Sequence, residues 1–428
     1  MEYTDADGLM VKIIERQEIQ AFIDQVVSAD IVVGIPSFNN ARTIGHVVRA
    51  VQAGLAKYFP DQKSVLVNSD GGSMDNTLEV VRNTSIENYA SILLRHQVES
   101  LFKIATPYSG LPGKGSAFRT IFEIASALDA KACVVVDSDL RSITPEWIEL
   151  LVKPVLHDGF DYVAPLYHRH KYDGTITNSI VYPLTRALYG KRVRQPIGGD
   201  FGFSGRLAKF YLTKDVWQTD VARFGIDIWM TTTAIANQFK VTQSFLGAKI
   251  HDAKDPGSDL SAMLYQVVGA TFELMESYHE VWKPIRGSEL VTAFGFEYSV
   301  GLEQVNVNTG RMLNLFREGL KNLRELWLDI LGNSDFREVE RLGTLGDKEF
   351  RFPLALWTRV IYDYAIAFHN RKLPIEHLIK SLTPLYLGKT ASFILEVEQM
   401  GQDEAEAEIE KLCLEFEGRK EYLVASWK

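Results

Sequence analysis

Cysteine is scarce in this chain, which has only Cys133 and Cys413 among its 428 residues. Two cysteines cannot form the disulfide framework on which small secreted domains depend, so a reducing compartment is expected. The sequence also lacks a run of the roughly 20 apolar residues that span a bilayer. Residues 1–18 are acidic and lack the apolar block of a signal peptide. We therefore expect a soluble, cytoplasmic protein.

An excess of positive charge is also missing. The chain has 46 Lys and Arg residues against 55 Asp and Glu, a net charge of -9. Nucleic-acid binding needs a basic face, so this balance argues against that class. The hydrophobic fraction of 46% is ordinary for a globular protein. The length exceeds what one core usually supports, so two domains are expected.

Glycine-rich phosphate loops are absent where two enzyme classes need them. The first predicted strand, 31–36, is followed by SFNNART, which contains no glycine. A nicotinamide dehydrogenase would have G-x-G-x-x-G there, and a sugar nucleotidyltransferase would have its own glycine-rich loop. No Walker loop occurs either. The sequence therefore favours neither class, although the nucleotidyltransferase is kept as an alternative.

Apolar runs of strand length alternate with helical patterns in the first part of the chain. Strands are predicted at 31–36, 64–70, 91–95 and 132–140, and this alternation predicts an α/β fold with a mostly parallel sheet. From about residue 258 long helical patterns dominate. We predict domains at 1–257 and 258–428. Ligands bind at the carboxyl ends of parallel strands, so the polar residues there are the candidates for chemistry.

The sequence Asp137-Ser138-Asp139 follows the apolar run CVVV. Mn²⁺ and Mg²⁺ prefer oxygen ligands and often bind one or two carboxylates together with substrate phosphates. Such a metal would neutralise charge on a leaving diphosphate. In the alternative interpretation the two aspartates only favour a turn and cap the helix predicted near Pro145.

Other polar residues follow predicted strands, each with a structural alternative. Lys114 lies in the glycine-rich turn GKG and could contact an anion, or be an exposed lysine. Asp70 is placed to accept hydrogen bonds from a nucleobase or ribose, whereas Asp75 is better explained as a helix cap. Asp227 lies where a helix is predicted to begin, and His251 follows a strand candidate.

In their order and approximate spacing, these segments resemble a GT-A glycosyltransferase. IVVGIPSFNNARTIGHVVRAV resembles the family 2 opening P-x-x-N-E, and SDGGSMDNT resembles D-D-G-S-x-D-x-T with Gly71 replacing the second Asp. The segments LPGKGSAFRTIFE, VVDSDLRSITPEWI, RQPIGGDFGFSGRLA, FGIDIW and AKIHDA resemble two related retaining enzymes, mannosylglycerate synthase and glucosyl-3-phosphoglycerate synthase. The resemblance covers about residues 31–260. It implies a GT-A domain, a helical C-terminal domain and hexose transfer from a nucleotide sugar to a small anionic acceptor.

The resemblance also implies roles for matching residues. Those for the donor are Pro36, Asn39, Asp70, Lys114, Asp137, Ile197, Gly198 and Gly199. Those for the acceptor anion are Arg169, Asp173 and Thr177, and those for Mn²⁺ or Mg²⁺ are Asp137, Asp139 and His251. Asp227 and Asp200 are the catalytic candidates, with Asp227 orienting hydroxyl groups during front-face, retaining attack.

Several questions stay open at this point. Asp200 stands where these enzymes have Glu, and Phe224 where Trp is expected, so the donor sugar is undetermined. GDP-mannose, GDP-glucose and UDP-glucose are the candidate donors, with glycerate or 3-phosphoglycerate as acceptor. From the residues alone, Asp200 or Asp227 could equally be the general base of an inverting enzyme. A family 2 enzyme with another acceptor, a non-catalytic regulator and a homodimer formed through the helical tail are also open.

Overall fold

The computed structural model describes residues 17–84, 102–107, 113–219, 221, 225–250, 261–297 and 305–428. The predicted strand at 91–95 and His251 lie outside these ranges. The chain divides into two compact units. The first comprises Met1–His168, Gly198–Asp252 and Thr292–Val300, and the second comprises Arg169–Ile197, Ala253–Val291 and Gly301–Lys428. The domain boundary predicted at residue 257 stays a prediction. The two compact units differ from the predicted domains chiefly because Arg169–Ile197 belongs to the helical unit.

An eight-stranded sheet forms the centre of the first unit. Its strands are β1 (Ile31–Ser37), β2 (Ser64–Asp70), β3 (Phe102–Pro107), β4 (Ala132–Val135), β5 (Tyr162–His168), β6 (Phe201–Ser204), β7 (Val241–Ala248) and β8 (Ala293–Phe294). Their order is β3-β2-β1-β4-β6-β5-β7-β8. Only β6 runs antiparallel to its neighbours β4 and β5. The predicted α/β class is therefore confirmed.

Helices connect the strands and make up most of the second unit. Residues 17–26 are also helical. The labelled helices are α1 (Ile44–Tyr58), α2 (Thr77–Asn83), α3 (Lys114–Ala127), α4 (Pro145–Leu156), α5 (Tyr182–Tyr189), α6 (Gly205–Leu212), α7 (Ile226–Ala236), α8 (Ser261–Ser277), α9 (His279–Trp282), α10 (Thr309–Asn322), α11 (Arg324–Gly343), α12 (Leu354–His369), α13 (Ile375–Val397), α14 (Gln402–Gly418) and α15 (Lys420–Ser426). A π-helical segment, Thr177–Val181, precedes α5.

The sheet opens between β1 and β4 at their carboxyl ends. β1 pairs with β2 along its whole length, but its pairing with β4 stops at Gly34 and Val135. Pro36 therefore lies where β1 has one neighbour, a place that tolerates a residue without an N–H donor. Strand order also reverses here, with β2 on one side and β4 on the other, so this is where a ligand site is expected.

The second unit is an all-helical assembly with large buried aromatic side chains. Trp327 and Trp357 are fully buried, and Gly319 of α10 lies so close to Pro384 of α13 that a Cβ atom would clash at 2.5 Å. The described helices match the predicted helical region in placement. None of the helices within the described ranges is both long enough and apolar enough to cross a membrane.

Both cysteines are buried, and neither forms a disulfide. Cys133 lies inside β4, as the apolar run around it predicts.

Candidate active site

Asp137 is held between two lysines just beyond the end of β4. Its Oδ1 lies 2.7 Å from Lys114 Nζ, and its Oδ2 lies 2.8 Å from Lys249 Nζ. The strand is shorter than predicted, because β4 ends at Val135 and the chain turns at residues 138–139. Both carboxylate oxygens of Asp137 are thus engaged by ammonium groups.

Lys249 connects Asp137 to a second carboxylate. Its side chain is 4% exposed, and its Nζ lies 2.8 Å from Oδ2 of the fully buried Asp200. It also donates to the Gly198 carbonyl at 2.8 Å and lies 5.3 Å from the centre of the Tyr167 ring. The Tyr167 hydroxyl donates to Asp200, whose other oxygen accepts the Asp137 amide at 2.8 Å. Asp200 is therefore fixed on both of its oxygens.

Lys114 connects Asp137 to a third carboxylate, on the first turn of α7. Its Nζ lies 3.1 Å from Oδ1 of Asp227 and 3.5 Å from the Gly199 carbonyl. Lys114 begins α3 directly after Gly113, as the predicted glycine-rich turn requires. The three aspartates and two lysines form one continuous network, which we call the Asp137 cluster (Lys114, Asp137, Asp200, Asp227 and Lys249).

Only glycine fits at residue 199. Its φ is +90°, a backbone conformation that L side chains rarely adopt. A Cβ atom there would also lie 2.3 Å from Asp137 Oδ2. The Gly198-Gly199 turn therefore lies directly against the Asp137 carboxylate.

The electrostatics of the Asp137 cluster follow from burial and pairing. Burial opposes the charge on Asp137, but the attraction of Lys114 and Lys249 outweighs it and holds the Asp137 pKa well below its usual range. Burial likewise opposes the charge on Lys114, and Asp137 and Asp227 outweigh it and raise the Lys114 pKa. Burial raises the pKa of Asp227, against the opposing effect of Lys114. Of these two carboxylates, Asp137 is therefore held in its ionised form, whereas burial favours the protonated form of Asp227.

The described residues only partly fit a divalent cation. Within the described ranges no group of three or more His, Cys, Asp or Glu side chains is arranged to hold a metal. Asp137 presents both oxygens to lysines, so a metal there would have to displace an ammonium group. The half-buried Asp139 lies in the turn that follows, and a single carboxylate combined with diphosphate oxygens is a ligand set that Mg²⁺ and Mn²⁺ accept. The predicted metal roles stay predictions.

Asp70 is used to shape the loop after β2. Its carboxylate accepts hydrogen bonds from the Ser37 hydroxyl at 2.8 Å, from the Gly72 amide at 2.9 Å, and from the Ser73 amide and hydroxyl at 2.7 Å. These four bonds fill the acceptor capacity of a carboxylate. The predicted contact between Asp70 and the donor stays a prediction beside this structural role.

Asn39 joins the loops that follow β1 and β2. The backbone N–H of Asn39 donates to the Ser73 hydroxyl at 2.7 Å, and the side-chain oxygen of Asn39 accepts a hydrogen bond from the backbone N–H of Met74 at 2.9 Å. Asp75 accepts the Ala41 amide at 3.0 Å and the Thr77 amide at 3.3 Å. The N-cap of α2 is Asn76, and no side-chain capping bond is made there, so Asp75 holds the loop before the helix rather than serving as the expected cap. Hydrogen bonds therefore join the loop after β1 to the loop after β2.

The predicted acceptor residues belong to the second unit. Arg169 Nη1 lies 3.5 Å from Asp173 Oδ2, and Thr177 is buried at the first position of the π-helical segment. Gly174 has a φ of +65° and turns the chain between them. Ile197 is the last residue of this segment of the second unit. The roles of these residues in binding remain predictions.

Lys249 and Tyr167 are members of the network that sequence reasoning missed. Lysine is rarely buried, so a lysine after a strand is normally assigned to the surface. The available indication was its position two residues before His251, in a segment already singled out. Tyr167 occupies the penultimate position of β5. It therefore lies at the carboxyl end of a strand, the kind of position at which the other candidate residues were predicted.

Comparison with known proteins supports the resemblance found in the sequence. The model of glycosyl transferase family 2 matches residues 32–217. Glucosyl-3-phosphoglycerate synthase of Petrotoga mobilis is 25% identical over 292 residues, covering 63% of this chain and 77% of that protein. An uncharacterized protein of Methanocaldococcus jannaschii is 26% identical over 151 residues, which is 35% of this chain and 51% of the relative.

Solved structures give a weaker likeness. Glucosyl-3-phosphoglycerate synthase from Mycobacterium tuberculosis in complex with Mn²⁺, UDP and glucosyl-3-phosphoglycerate aligns with a TM-score of 0.43 and 22% identity, covering 60% of this chain and 83% of that one. The same enzyme has been solved with Mg²⁺ and UDP, with a TM-score of 0.42 and 21% identity. The fold of this chain rests on its own strand order rather than on these alignments. Residues 32–217 are therefore similar to glycosyl transferase family 2, and 63% of the chain is similar to glucosyl-3-phosphoglycerate synthase of Petrotoga mobilis at 25% identity.

Proposed function

We propose that this protein is a retaining hexosyltransferase that uses a nucleotide-sugar donor and a small anionic acceptor such as glycerate or 3-phosphoglycerate. The Asp137 cluster carries the proposal, because it gathers two lysines and three carboxylates beside the open carboxyl ends of β1 and β4. A phosphate-bearing donor needs cationic groups that can exchange partners. Lys114 is a group of this kind, because it is paired with both Asp137 and Asp227.

The charge balance of the cluster supports a metal-assisted donor. Two ammonium groups face three carboxylates in the network, and Asp139 adds a further carboxylate nearby. A diphosphate would bring more negative charge into this already acidic site. A divalent cation would offset that repulsion, with Asp139 and His251 as its proposed protein ligands and with Lys114 moving from Asp137 towards phosphate oxygens. When bound, the metal would stabilise charge on the leaving diphosphate.

The chemistry that the protein itself supplies is orientation and charge. Lys114 would contact the donor phosphate or sugar while remaining paired with Asp227. Asp227, on the first turn of α7, is proposed to accept hydrogen bonds from sugar or acceptor hydroxyl groups. Asp200 is fixed by Tyr167 and Lys249, so its proposed role is to hold the Asp137 backbone and Lys249 in place.

The proposal of an anionic acceptor rests on Arg169 and on the similarity to glucosyl-3-phosphoglycerate synthase of Petrotoga mobilis. A guanidinium group binds carboxylate and phosphate oxygens with two parallel donors. Arg169 pairs with Asp173 at the long distance of 3.5 Å, so an acceptor anion could take over this pairing.

A matrix assay tests the proposal. The full chain is incubated with Mn²⁺ or Mg²⁺, with GDP-mannose, GDP-glucose or UDP-glucose, and with glycerate or 3-phosphoglycerate. We expect one donor and one acceptor to give a glycosylated acid, detected by mass spectrometry. Lys114→Ala should abolish this product, whereas Lys57→Ala, at an exposed surface pair with Glu146, should not.

Two results would contradict the proposal. Donor hydrolysis that is unaffected by any acceptor would show that the site activates the donor for water alone. Pyrophosphate release from a nucleoside triphosphate and a sugar 1-phosphate would support a sugar nucleotidyltransferase instead.

A further inference from the structure

The predicted acceptor residues lie on one short stretch of the second unit. Residues 169–178, which we call the acceptor segment, contain Arg169, Asp173 and Thr177. Residues 169–174 of this segment are a loop in which the Asp173 amide donates to the His170 carbonyl at 2.8 Å and Arg169 pairs with Asp173 at 3.5 Å. Binding residues on a loop depend on a rigid scaffold to position them. The contacts that join this loop to a helix are therefore the ones that decide where Arg169 lies.

Lys171, in the middle of this loop, is anchored to the end of helix α13. Its Nζ donates to the carbonyl oxygens of Val397 at 2.7 Å, Met400 at 2.8 Å and Glu398 at 3.0 Å. The last carbonyl groups of an α-helix have no partner inside the helix. An ammonium group has three donors, so these three bonds use all of them. Lys171 thus caps α13 and ties the loop to it at the same time.

The charge of Lys171 strengthens this anchor. α13 is 23 residues long, and the carboxyl end of a helix carries a partial negative charge that attracts a cation. Lys171 is half-buried, so salt screens this attraction less than it would at a fully exposed position. Because its three donors are used on carbonyl oxygens, Lys171 is an anchor of the loop and not a ligand placed to receive the acceptor anion.

Separate bonds hold the other half of the acceptor segment. The hydroxyl groups of Thr175 and Tyr386 lie 2.5 Å apart, and Tyr386 belongs to α13. The Asn178 side chain donates to the Asp173 carbonyl at 3.1 Å. These bonds secure the segment from Asp173 to the π-helical residues. The earlier stretch, which carries the guanidinium group, is the part that the lysine anchor secures.

We propose that Lys171 is a positioning residue for the acceptor. It fixes the loop on α13, and Arg169, two residues earlier, is thereby presented to the acceptor anion in one position. A guanidinium group binds an anion best when its planar donors meet the oxygens in a defined orientation. Without the anchor the loop would have to be ordered by the acceptor, which would lower the affinity. This inference rests on the proposed function, because it takes Arg169 as the group that binds the acceptor.

Steady-state kinetics and hydrogen exchange of the full chain, the latter read by mass spectrometry, test this role together. Lys171→Met removes the three bonds and keeps a similar side-chain volume. We expect it to raise the acceptor KM by about tenfold or more, as for the loss of a hydrogen-bonded charge, and to leave kcat and the donor KM unchanged. Amide exchange in residues 169–174 should become about tenfold faster or more, because the loop opens locally, while the second unit away from the end of α13 keeps its protection.

Two further variants serve as controls. Lys171→Arg keeps a cation that can donate to the same carbonyl groups, and it should recover most of the acceptor affinity and of the exchange protection. Lys380→Met, which removes an exposed lysine of the same helix, should behave like the wild-type chain. If Lys171→Met does not unfold cooperatively, Lys171→Gln, which keeps two N–H donors without the charge, takes its place.

The outcomes separate this inference from the proposed function. A wild-type chain that transfers no sugar to any anionic acceptor would refute the proposed function and this inference with it. Transfer by the wild type with an acceptor KM that Lys171→Met leaves unchanged would refute the role of Lys171 alone. A raised acceptor KM without faster exchange would also overturn it, because Lys171 would then bind the anion directly. An equal rise in the donor KM would show that Lys171 supports the fold and not the acceptor.

Discussion

The Lys249 ammonium group lies 2.8 Å from Asp137 Oδ2, inside a site where the lysine side chain is only 4% exposed. The same ammonium group lies 2.8 Å from the fully buried Asp200. Removing one partner from a buried ion pair leaves an uncompensated charge, which costs far more than the loss of a surface pair. Lys249 is therefore expected to be necessary for the fold of the site as well as for its charge.

Lys249→Met should lower the free energy of unfolding by about 3–5 kcal/mol. The physical reason is that Asp137 and Asp200 would keep their charge without their shared cation. Lys57→Met, at a surface pair whose side chains are nearly half exposed, should change stability by about 0–1 kcal/mol. Urea denaturation of the three proteins measures both effects.

The double variant Lys249→Met/Asp200→Asn separates charge from packing. If the uncompensated carboxylate is the cause, adding Asp200→Asn should recover part of the stability lost in Lys249→Met. A double variant as unstable as the sum of the two single variants would show that packing, not charge, holds this part of the site together.

Much of the first unit is predictable from sequence because burial patterns follow strand and helix periods. β1, β2 and β4 are buried on both faces, as expected for central strands of a mostly parallel sheet. β3 was not predicted, because it lies at the sheet edge and its described side chains are mostly half-buried. β6 is also not among the predicted strands, since its antiparallel direction leaves no mark in the alternation of strands and helices.

Several residues of the site could be predicted from the sequence, but the contacts between them could not. Asp137, Lys114 and Asp227 were selected because they follow strands or begin helices, and the structure joins them within 3.1 Å. Their partner Lys249 was not, because only a three-dimensional fold reveals that a lysine is buried between two carboxylates. Asp70 shows the converse case, since its position suggested a ligand contact and its four hydrogen bonds are made within the protein.

Activity should require Mn²⁺ or Mg²⁺ and should vanish when a chelator is added. Asp139→Ala should lower kcat/KM more than the roughly 10–100-fold that is typical for loss of a group that only hydrogen-bonds to a metal ligand. The reason is that Asp139, in the turn that follows β4, is proposed to bind the metal directly rather than through another residue. Steady-state kinetics with added metal measure this, and Asp158→Asn on the exposed surface provides the control. Full activity of Asp139→Ala in metal-free buffer would refute the metal site.

Arg169→Ala should raise the acceptor KM far more than the donor KM, because the proposed role of Arg169 is confined to the acceptor anion. Arg311→Ala, at an exposed position of α10, is the matched control. Initial rates with each substrate varied in turn distinguish these effects. Equal losses for both substrates would indicate a donor-site or folding defect.

The second unit should show a pH-dependent stability that originates at Asp363. Burial raises the pKa of Asp363 to about 7, and the nearby Asp335 adds to this effect while the Tyr422 hydroxyl, which donates to Asp363, opposes it. The unfolded value is near 3.9, so the folded state binds the proton more tightly. Stability is then lost as the pH rises from about 4 to about 7, at most by about 1.4 kcal/mol per pH unit.

Asp363→Asn should remove this dependence. The difference in unfolding free energy between variant and wild type should grow in favour of the variant between pH 5 and 7, and then level off. Denaturant titrations across this range measure it. Asp329→Asn, at a side chain that is 65% exposed, should instead follow the wild-type curve. A constant difference between Asp363→Asn and wild type at every pH would contradict the assignment.

The stereochemical prediction concerns Asp227 on the first turn of α7. An inverting enzyme needs a carboxylate base beside the acceptor hydroxyl, whereas a retaining enzyme uses a nucleophile or front-face attack assisted by the leaving phosphate. Asp227 is paired with Lys114 at 3.1 Å, which suits a group that orients hydroxyls better than one that attacks carbon. We therefore expect Asp227→Asn to lose activity without any covalent sugar adduct, and an α-linked donor to give an α-linked product. Intact-protein mass spectrometry and NMR of the anomeric proton measure these outcomes. A β-linked product would instead assign the base of an inverting reaction to Asp227 or Asp200.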